Sequence, residues 1–478
     1  MPSPLDCLNA ADPTDLEGLR SLLDSADPEG RLAPIGMQAI DIGSGVLESL
    51  PDTVAECTAR GHVALLTDRT PMQRGADDLK PLAFELLASR FEVTQTMLGP
   101  LGRELRADEE TVEQATTAAE GAGAVVVVGS GTITDVAKAA TMARGTPLVV
   151  VQTAASVNGF ADDRSVLLRH GTKRTVETRW PDVLLVDLEV LASAPTAMNL
   201  AGLGDLFAVF TAPADWYLAS LMGLDDAYHP AAAALYRDRT ERLAEHAHAI
   251  ARGKHTALDE LARLLTLSGI AMGIAGTTAP SSGAEHVISH LIDMAREQDG
   301  TPLALHGAQV GVATLPVALA WSLLLEEVDV AALDLRQLLP SAERMQRLVR
   351  EAFDAIDPSG AVSEECWKDY ERKLAGLHGR PERLRTLSAA WERHRADFSA
   401  LATSGARLAR ALREGGAPTR FSALVPPVAP ARARWALANA HLMRNRFYVS
   451  DLLAIAGLWD DDLLEGLLRK ANTFGAGL

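Results

Sequence analysis

The stretch from Ala122 to Asp135 reads AGAVVVVGSGTITD and is the segment that decides the fold. Its first half is a short, uninterrupted apolar run that stops at Gly129-Ser-Gly131. The segment Ile133–Ala143 that follows has the spacing of an amphipathic helix. A continuously apolar strand that leads through glycines into a helix is typical of a parallel sheet covered by helices on both faces.

Three further apolar runs of strand length occur in the first part of the chain. They are HVALLT, PLVVV and VLLV, at His62–Thr67, Pro147–Val151 and Val183–Val186. Ligands of parallel α/β sheets bind at the carboxyl ends of the strands. The residues that follow these runs are therefore the first candidates for a binding site.

From about Asn199 onward the pattern becomes helical, and Ala, Leu, Glu and Arg dominate almost to the end. The clearest interruption is the Gly- and Pro-rich stretch 415–430, which we predict to be a surface loop. We therefore predict an α/β N-terminal domain with a parallel sheet in residues 1–195 and an all-α C-terminal domain in residues 196–478.

Composition excludes several classes of protein. The 478 residues are 47% hydrophobic and 23% charged, which is typical of a packed globular chain. The net charge of −18 argues against a nucleic-acid or anionic-membrane binder, since both need a basic face. Three widely spaced cysteines indicate neither a disulfide framework nor a thiolate metal cluster.

We expect no signal peptide, because the start of the chain, MPSPLDCLNA, has neither a basic n-region nor an apolar h-region. The uncharged stretches 264–284 and 307–325 contain proline and several polar residues. We predict that they form buried helices of a soluble, cytoplasmic protein.

The turn at Gly129-Ser-Gly131 is a candidate phosphate-binding site. Glycines let the backbone approach a phosphate, and the following helix presents N–H groups and its positive dipole end to it. Thr134 stands where a dinucleotide fingerprint has its third glycine, so glycines that serve only a tight turn remain an alternative. Asp68, after the strand HVALLT, either binds a ribose diol or forms a turn.

Three histidines occur within 21 positions beside the least charged stretches. His286 and His290 have i, i+4 spacing and share one helix face, and His306 opens the next apolar stretch. Asp205 offers a carboxylate in the apolar segment GLGDLFA, at the predicted start of a helix, where an N-cap is the alternative. One carboxylate and two imidazoles would leave a coordination position for a substrate, as in catalytic metal sites.

These segments together resemble the glycerol-1-phosphate dehydrogenase family, within the iron-containing alcohol dehydrogenase and dehydroquinate synthase-like superfamily. The resemblance covers nearly the whole chain and includes the end, MRNRFYVSDLLAIAGL (443–458), which is similar to the bacterial branch. Its other segments are VVVVGSGTITDVAK (125–138), VVVQTAASVNGFAD (149–162), APTAMNLAGLGDLFA (194–208), ADW (214–216), SSGAEHVISH (281–290) and LHGAQVG (305–311).

The resemblance implies a dehydroquinate synthase-like fold, with a dinucleotide-binding domain in residues 1–195 and a helical metal- and substrate-binding domain in residues 196–478. It also implies a set of site residues. Asp205, His286 and His306 match the metal ligands, with Asp205 also beside the substrate, and His290 matches a catalytic, substrate-contacting position. Cofactor contacts are implied for two groups of residues, in addition to Asp68: Gly129, Ser130, Gly131, Thr132 and Asp135 at the pyrophosphate, and Thr153, Ser156 and Asp162 at a second nucleotide contact.

Two positions depart from the family pattern. Asn158 stands where the family usually has an Asp that contacts the substrate, and Asp162 stands where it usually has a Ser that contacts the cofactor. Asn158 removes a charge and adds an amide donor.

The implied activity is reversible hydride transfer between a nicotinamide and a small polyol phosphate such as sn-glycerol 1-phosphate or dihydroxyacetone phosphate. It needs NAD or NADP and one divalent metal, with zinc expected first and nickel or iron as alternatives. A homodimer or larger oligomer is also implied. The alternatives are a dehydroquinate synthase-like cyclase or lyase that uses NAD transiently, and a non-catalytic nucleotide-binding homologue.

Overall fold

A computed structural model describes residues 3–101, 105–169 and 172–478. The chain divides into two compact units. The first contains the residues up to Leu206 together with Ala231–Gly276, and the second contains Phe207–Pro230 and Thr277–Leu478.

The first unit is built on a six-stranded sheet in the order β1-β10-β7-β6-β2-β5, with every neighbouring pair parallel. The remaining strands form two small antiparallel hairpins, β3-β4 and β8-β9. The strands are β1 (Ala39–Gly43), β2 (His62–Thr67), β3 (Gln73–Arg74), β4 (Asp77–Asp78), β5 (Glu92–Met97), β6 (Ala124–Gly129), β7 (Leu148–Gln152), β8 (Arg164–Arg169), β9 (Thr172–Glu177) and β10 (Val183–Asp187).

The helices of both units are short to medium in length. They are α1 (Pro4–Cys7), α2 (Leu16–Ala26), α3 (Leu50–Cys57), α4 (Leu79–Ala88), α5 (Glu109–Ala118), α6 (Gly131–Met142), α7 (Leu188–Ser193), α8 (Thr196–Leu206), α9 (Ala212–Leu221), α10 (Pro230–Ala234), α11 (Arg237–Ala244), α12 (Ala247–Ala251), α13 (His255–Ala275), α14 (Ala284–Asp299), α15 (His306–Glu326), α16 (Ala342–Phe353), α17 (Ala361–Gly379), α18 (Pro381–Ala389), α19 (Trp391–Leu401), α20 (Gly405–Gly415), α21 (Pro430–Asn439), α22 (Val449–Ile455) and α23 (Asp461–Thr473).

The predicted parallel sheet is confirmed, because the four apolar runs form the four central strands β2, β6, β7 and β10. All residues of β6, β7 and β10 are buried, as expected for strands covered on both faces. The valines of β6 and β7 join the leucines of α3 and α4 in one apolar core. This core fixes the ends of the central strands, from which the candidate site is built.

The predicted helical second half is also confirmed, since the chain is helical from α8 to α23 apart from its turns. Two segments are long and apolar enough to cross a membrane by length and composition, Thr196–Leu221 and His306–Glu326. The most apolar windows of these helices are 89% and 78% buried inside the protein, which is the pattern of core helices. The stretch 415–430 connects α20 to α21, and Phe421 anchors it in the core.

The predicted functional division, with a nucleotide-binding domain in 1–195 and a metal- and substrate-binding domain in 196–478, stays a prediction. The compact units describe packing, and Ala231–Gly276 packs with the unit that holds the sheet.

Candidate active site

Three of the predicted cofactor-binding segments follow neighbouring strands. Asp68 follows β2, Gly129 ends β6 and Thr153 follows β7, and these strands are adjacent in the sheet. The backbone N–H of Thr153 donates to the carbonyl oxygen of Gly129 over 3.1 Å. The sheet therefore brings the ends of these segments to one edge, where ligands of parallel sheets bind.

The predicted phosphate-binding turn leads directly into α6. Ser130 is the N-cap residue in extended conformation, Gly131 is the first helical residue, and Thr132 is exposed at the surface. Gly129 is required by close packing, because a Cβ at this position would lie 2.2 Å from Cγ2 of Ile133. A helix N-terminus directly after an apolar strand offers N–H groups suited to an anion.

Asp68 makes the contacts of a turn. Its carboxylate accepts hydrogen bonds from the backbone N–H and the hydroxyl of Thr70, both over 3.0 Å. Nζ of Lys80 donates to the carbonyl oxygen of Asp68 over 2.6 Å and lies 3.7 Å from its carboxylate. Its contact with a ribose stays a prediction.

A buried lysine that the sequence analysis missed lies beneath the turn. Lys138 on α6 is fully buried, and its Nζ donates to Oδ1 of Asp162 over 2.6 Å and to the carbonyl oxygen of Gly159 over 2.9 Å. It also lies 3.5 Å from Asp135, whose pKa burial raises to about 7 in spite of this positive neighbour. Lys138 therefore ties the helix of the turn to the loop 153–162, and the predicted cofactor contacts of Asp135 and Asp162 stay predictions.

Helices α8 and α13 hold the same loop from its other sides. Oδ1 of Asn199 on α8 accepts a hydrogen bond from the backbone N–H of Ala155 over 3.0 Å. Gly202 is required for this approach, because a Cβ there would lie 1.9 Å from the carbonyl oxygen of Ala155. Gly269 on α13 is required in the same way, because a Cβ added there would lie 2.5 Å from the carbonyl oxygen of Asn158. The loop, which includes Thr153 and Ser156, is thus fixed by packing as well as by hydrogen bonds.

Asn158 contacts both helices through polar groups. Its backbone N–H donates to Oδ2 of Asp205 over 2.9 Å, and its side-chain Nδ2 donates to Oγ of Ser268 over 3.1 Å. Asp205 is buried and is the penultimate residue of α8. The alternative in which Asp205 begins a helix as its N-cap is therefore wrong; the helix begins nine residues earlier, at Thr196.

The three predicted histidines lie side by side. His286 and His290 are one turn apart on α14, and His306 is the first residue of α15. The ring centroid of His306 lies 5.2 Å from that of His286 and 5.3 Å from that of His290. The structure thus groups the three histidines, while the binding of a metal by Asp205, His286 and His306 stays a prediction.

A ring nitrogen of each of two histidines contacts a residue of α14. Nδ1 of His286 lies 3.1 Å from Oε1 of Glu285, and Nδ1 of His306 lies 3.2 Å from Oγ of Ser289. A histidine that donates through Nδ1 carries its lone pair on Nε2. If each Nδ1 donates in these contacts, Nε2 is the ring nitrogen that would bind a metal.

A second buried carboxylate fixes the start of α14. Asp215 on α9 accepts hydrogen bonds from the backbone N–H groups of Ala284 and Val449, over 3.0 and 2.9 Å. Burial, with the nearby charge of Glu285, raises the pKa of Asp215 well above its usual range. Because Ala284 and Val449 are the first residues of α14 and α22, Asp215 holds two helix starts together.

The C-terminal segment adds another contact to the same region. Arg446 donates to the carbonyl oxygen of Ser282 over 2.6 Å and to the hydroxyl of Thr278 over 3.1 Å. Sequence reasoning assigned no role to Glu285, Asp215 or Arg446, although all three lie in segments that carry the family resemblance. Their position in these segments was the available signal. Each also has a partner far along the chain, which the sequence does not reveal: Thr211 for Glu285, Val449 for Asp215 and Ser282 for Arg446.

Comparisons with known proteins identify relatives of this chain. Residues 41–195 match the family model described as iron-containing alcohol dehydrogenase. A Bacillus velezensis protein named glycerol-1-phosphate dehydrogenase (NAD(P)+) is 33% identical over 293 residues, which cover 60% of this chain and 72% of that protein. A protein of the same name from Methanosarcina acetivorans is 32% identical over 276 residues, covering 57% and 74%.

Solved structures share the fold at low sequence identity. A probable glycerol dehydrogenase from Sinorhizobium meliloti 1021 aligns with a TM-score of 0.56 and 18% identity, over 91% of this chain and 98% of that one. A 1,3-propanediol oxidoreductase aligns with a TM-score of 0.56 and 15% identity, over 92% and 99%.

The fold is thus that of the dehydroquinate synthase-like alcohol dehydrogenases, as predicted. Within that class, the chain belongs to the glycerol-1-phosphate dehydrogenase family. The predicted resemblance and the predicted enzyme class, a dehydrogenase, are both confirmed.

Proposed function

We propose that this protein is a metal-dependent, NAD(P)-linked dehydrogenase that transfers hydride reversibly between the nicotinamide and a small polyol phosphate. The pair sn-glycerol 1-phosphate and dihydroxyacetone phosphate is the first candidate, as the names of the relatives suggest. The observation that carries the proposal is the grouping of the imidazoles of His286, His290 and His306, whose ring centroids lie between 5.2 and 6.4 Å apart.

The donor set fits a divalent ion. One carboxylate and two imidazoles suit zinc first, and nickel or iron as alternatives, and three protein ligands leave a position for a substrate oxygen. When bound, such an ion supplies Lewis-acid polarisation of the substrate carbonyl or stabilises the alkoxide of the alcohol. Asp205, with one oxygen held by the backbone of Asn158, presents a carboxylate of fixed orientation to it.

His290 is the proposed catalytic residue. It is buried, and its ring lies beside that of His306. An imidazole can hold a substrate hydroxyl or carry its proton as hydride moves. Asn158 is the proposed substrate contact on the loop, since its backbone already bonds to Asp205.

The cofactor would lie along the carboxyl ends of β2, β6 and β7. Its pyrophosphate would bind at the start of α6, where Gly129, Ser130 and Gly131 bring the backbone close. Asp68 favours NAD over NADP, because a carboxylate repels a 2′-phosphate. We also propose that the protein is soluble and cytoplasmic and that it acts as a homodimer.

The proposal is tested by metal content and cofactor turnover together. Purified wild type is expected to retain about one divalent ion per chain and to oxidise NADH or NADPH steadily with dihydroxyacetone phosphate. His306→Ala should lose both the metal and the turnover while keeping its circular dichroism spectrum. His246→Ala removes an exposed histidine on the helical surface and should behave as wild type.

Two results would contradict the proposal. A His306→Ala variant that keeps full metal content and full rate would exclude the ligand set. Product formation without net change in cofactor would indicate a cyclase or lyase that uses NAD transiently, and nucleotide binding without any turnover would indicate a non-catalytic homologue.

A further inference from the structure

The carboxylate of Glu285 lies between His286 and the start of α14. Its Oε1 is 3.1 Å from Nδ1 of His286 and accepts a hydrogen bond from the backbone N–H of Gly283 over 2.5 Å. Its Oε2 accepts a hydrogen bond from the hydroxyl of Thr211 over 2.8 Å. The side chain of Glu285 is 0% exposed, and protein groups contact both of its carboxylate oxygens.

Such a carboxylate is costly to bury, because it loses its hydration on entering the interior. Three features offset this cost: the backbone N–H of Gly283, the hydroxyl of Thr211, and the position of Glu285 in the first turn of α14, where the helix dipole favours negative charge. Gly283 leaves room for the arrangement, since a Cβ there would lie 2.9 Å from Oε2 of Glu285 and 2.8 Å from Oδ2 of Asp215.

We propose that Glu285 is a positioning residue for the metal ligand His286, an inference that rests on the proposed function. Glu285 accepts a hydrogen bond from the Nδ1–H group of His286. This contact fixes the imidazole in the tautomer whose lone pair is on Nε2, and it stops the ring from turning about its Cβ–Cγ bond. A carboxylate acceptor also makes Nε2 a stronger donor to a divalent ion. The hydroxyl of Thr211 orients the carboxylate of Glu285, and Thr211 therefore acts on His286 through Glu285.

A purely structural role for Glu285, as an acceptor for the start of α14, predicts a different result. Loss of that role would lower the stability of the apoprotein and leave its intrinsic metal affinity unchanged. The test therefore measures the zinc dissociation constant by competition with a chromophoric chelator, and separately the urea unfolding of the metal-free protein.

Glu285→Gln keeps the size of the side chain and an oxygen acceptor, but it removes the charge. We expect it to weaken zinc binding about 10–100-fold, the usual effect of removing such a partner. Asp293→Asn is the matched control, because Asp293 is a buried carboxylate on the same helix that accepts from Gln309 over 2.7 Å. The control should change the zinc dissociation constant less than about threefold.

A pair of substitutions at Thr211 tests the proposal without altering Glu285. Thr211→Ser keeps the hydroxyl and should bind zinc as wild type does, whereas Thr211→Val removes it and should weaken binding by at least about threefold. These variants decide the outcome if Glu285→Gln does not fold.

Wild-type zinc affinity in Glu285→Gln, or in Thr211→Val where Glu285→Gln does not fold, overturns the positioning role and leaves the proposed function intact. A wild-type protein that binds no divalent ion overturns both. Equal losses in Glu285→Gln and Asp293→Asn also overturn the positioning role, because they would show a general effect of charge in α14.

Discussion

The backbone N–H of Asn158 donates a hydrogen bond to Oδ2 of Asp205 over 2.9 Å. The loop that follows β7 is thereby joined to the carboxylate proposed as a metal ligand. The same loop is joined to the helix of the phosphate-binding turn through Lys138. Substitutions at these contacts should therefore distinguish residues that stabilise the fold from residues that act in catalysis.

Asn158→Asp tests the departure of this chain from the family pattern. The hydroxyl of Ser268, which now accepts from Nδ2 of Asn158, can donate to a carboxylate instead, so the fold should be retained. We expect kcat/KM for dihydroxyacetone phosphate to rise at least about tenfold, because a carboxylate accepts from a substrate hydroxyl. A steady-state assay with both reduced nucleotides checks this, and no gain would indicate a different natural substrate.

Lys138→Met should destabilise the first unit strongly. It leaves the buried carboxylate of Asp162 without its cation, and breaking a buried pair in this way costs about 3–5 kcal/mol. Urea unfolding measures the loss. Lys368→Met is the matched control, because Lys368 forms an exposed pair with Glu365 and should contribute less than about 1 kcal/mol. Similar losses in the two variants would contradict the structural role of Lys138.

The pKa of Asp135, which burial raises to about 7, predicts a specific pH dependence. An Asp in the unfolded chain titrates near about 3.9, so between about pH 4 and pH 7 the folded protein binds more protons than the unfolded chain. The contribution of Asp135 to the free energy of unfolding is therefore full below about pH 4, falls as the pH rises and levels off above about pH 7.

Asp135→Asn removes this titration. Measured without cofactor, the variant should gain stability relative to wild type between pH 5 and pH 8, by about 1 kcal/mol or more. Its Oδ1 can still accept from the backbone N–H of Val166. Asp77→Asn is the control at an exposed position, and its free energy of unfolding should follow that of wild type in parallel as the pH changes. A parallel curve for Asp135→Asn would contradict the raised pKa.

Gly202→Ala should displace the loop after β7. The added methyl group would lie 1.9 Å from a backbone oxygen, that of Ala155, which cannot move without shifting the loop. We expect a loss of about 2 kcal/mol or more, together with a fall in turnover. Gly466→Ala in α23 is the control, because its added methyl meets only the end of Arg469 at 3.8 Å and should stabilise the helix by about 0.5–1 kcal/mol. Equal effects of the two substitutions would exclude the close approach.

The strands that were predicted correctly share one physical property. The strands β2, β6, β7 and β10 are central, and each contains a run of at least four apolar residues, so a continuous run in the sequence reports burial on both faces. The edge strands β1 and β5 were missed, because an edge strand carries exposed polar residues and shows no such run. The hairpin β8-β9 was missed for the same reason.

The candidate site was predicted in part. Family motifs identified Asp205, His286, His290 and His306, and the structure places the three histidines side by side. Their neighbours were not found, since a buried Lys138 or Glu285 has the same one-dimensional pattern as a solvated one. Asp162, which pairs with Lys138, lies 24 residues away, and Thr211, which donates to Glu285, lies 74 residues away.

The sequence by itself determined the sheet, the helical second half, the family and the identity of the proposed ligands, because these depend on local apolar patterns and on motifs with fixed spacing. Only the tertiary structure decided how each of these groups is held: Asp205 near the end of α8, Asn158 bonded to it, and Glu285, beside His286, bonded to Thr211. The reason is that desolvation and hydrogen-bond partners are set by packing between segments distant in the chain, which local pattern does not encode.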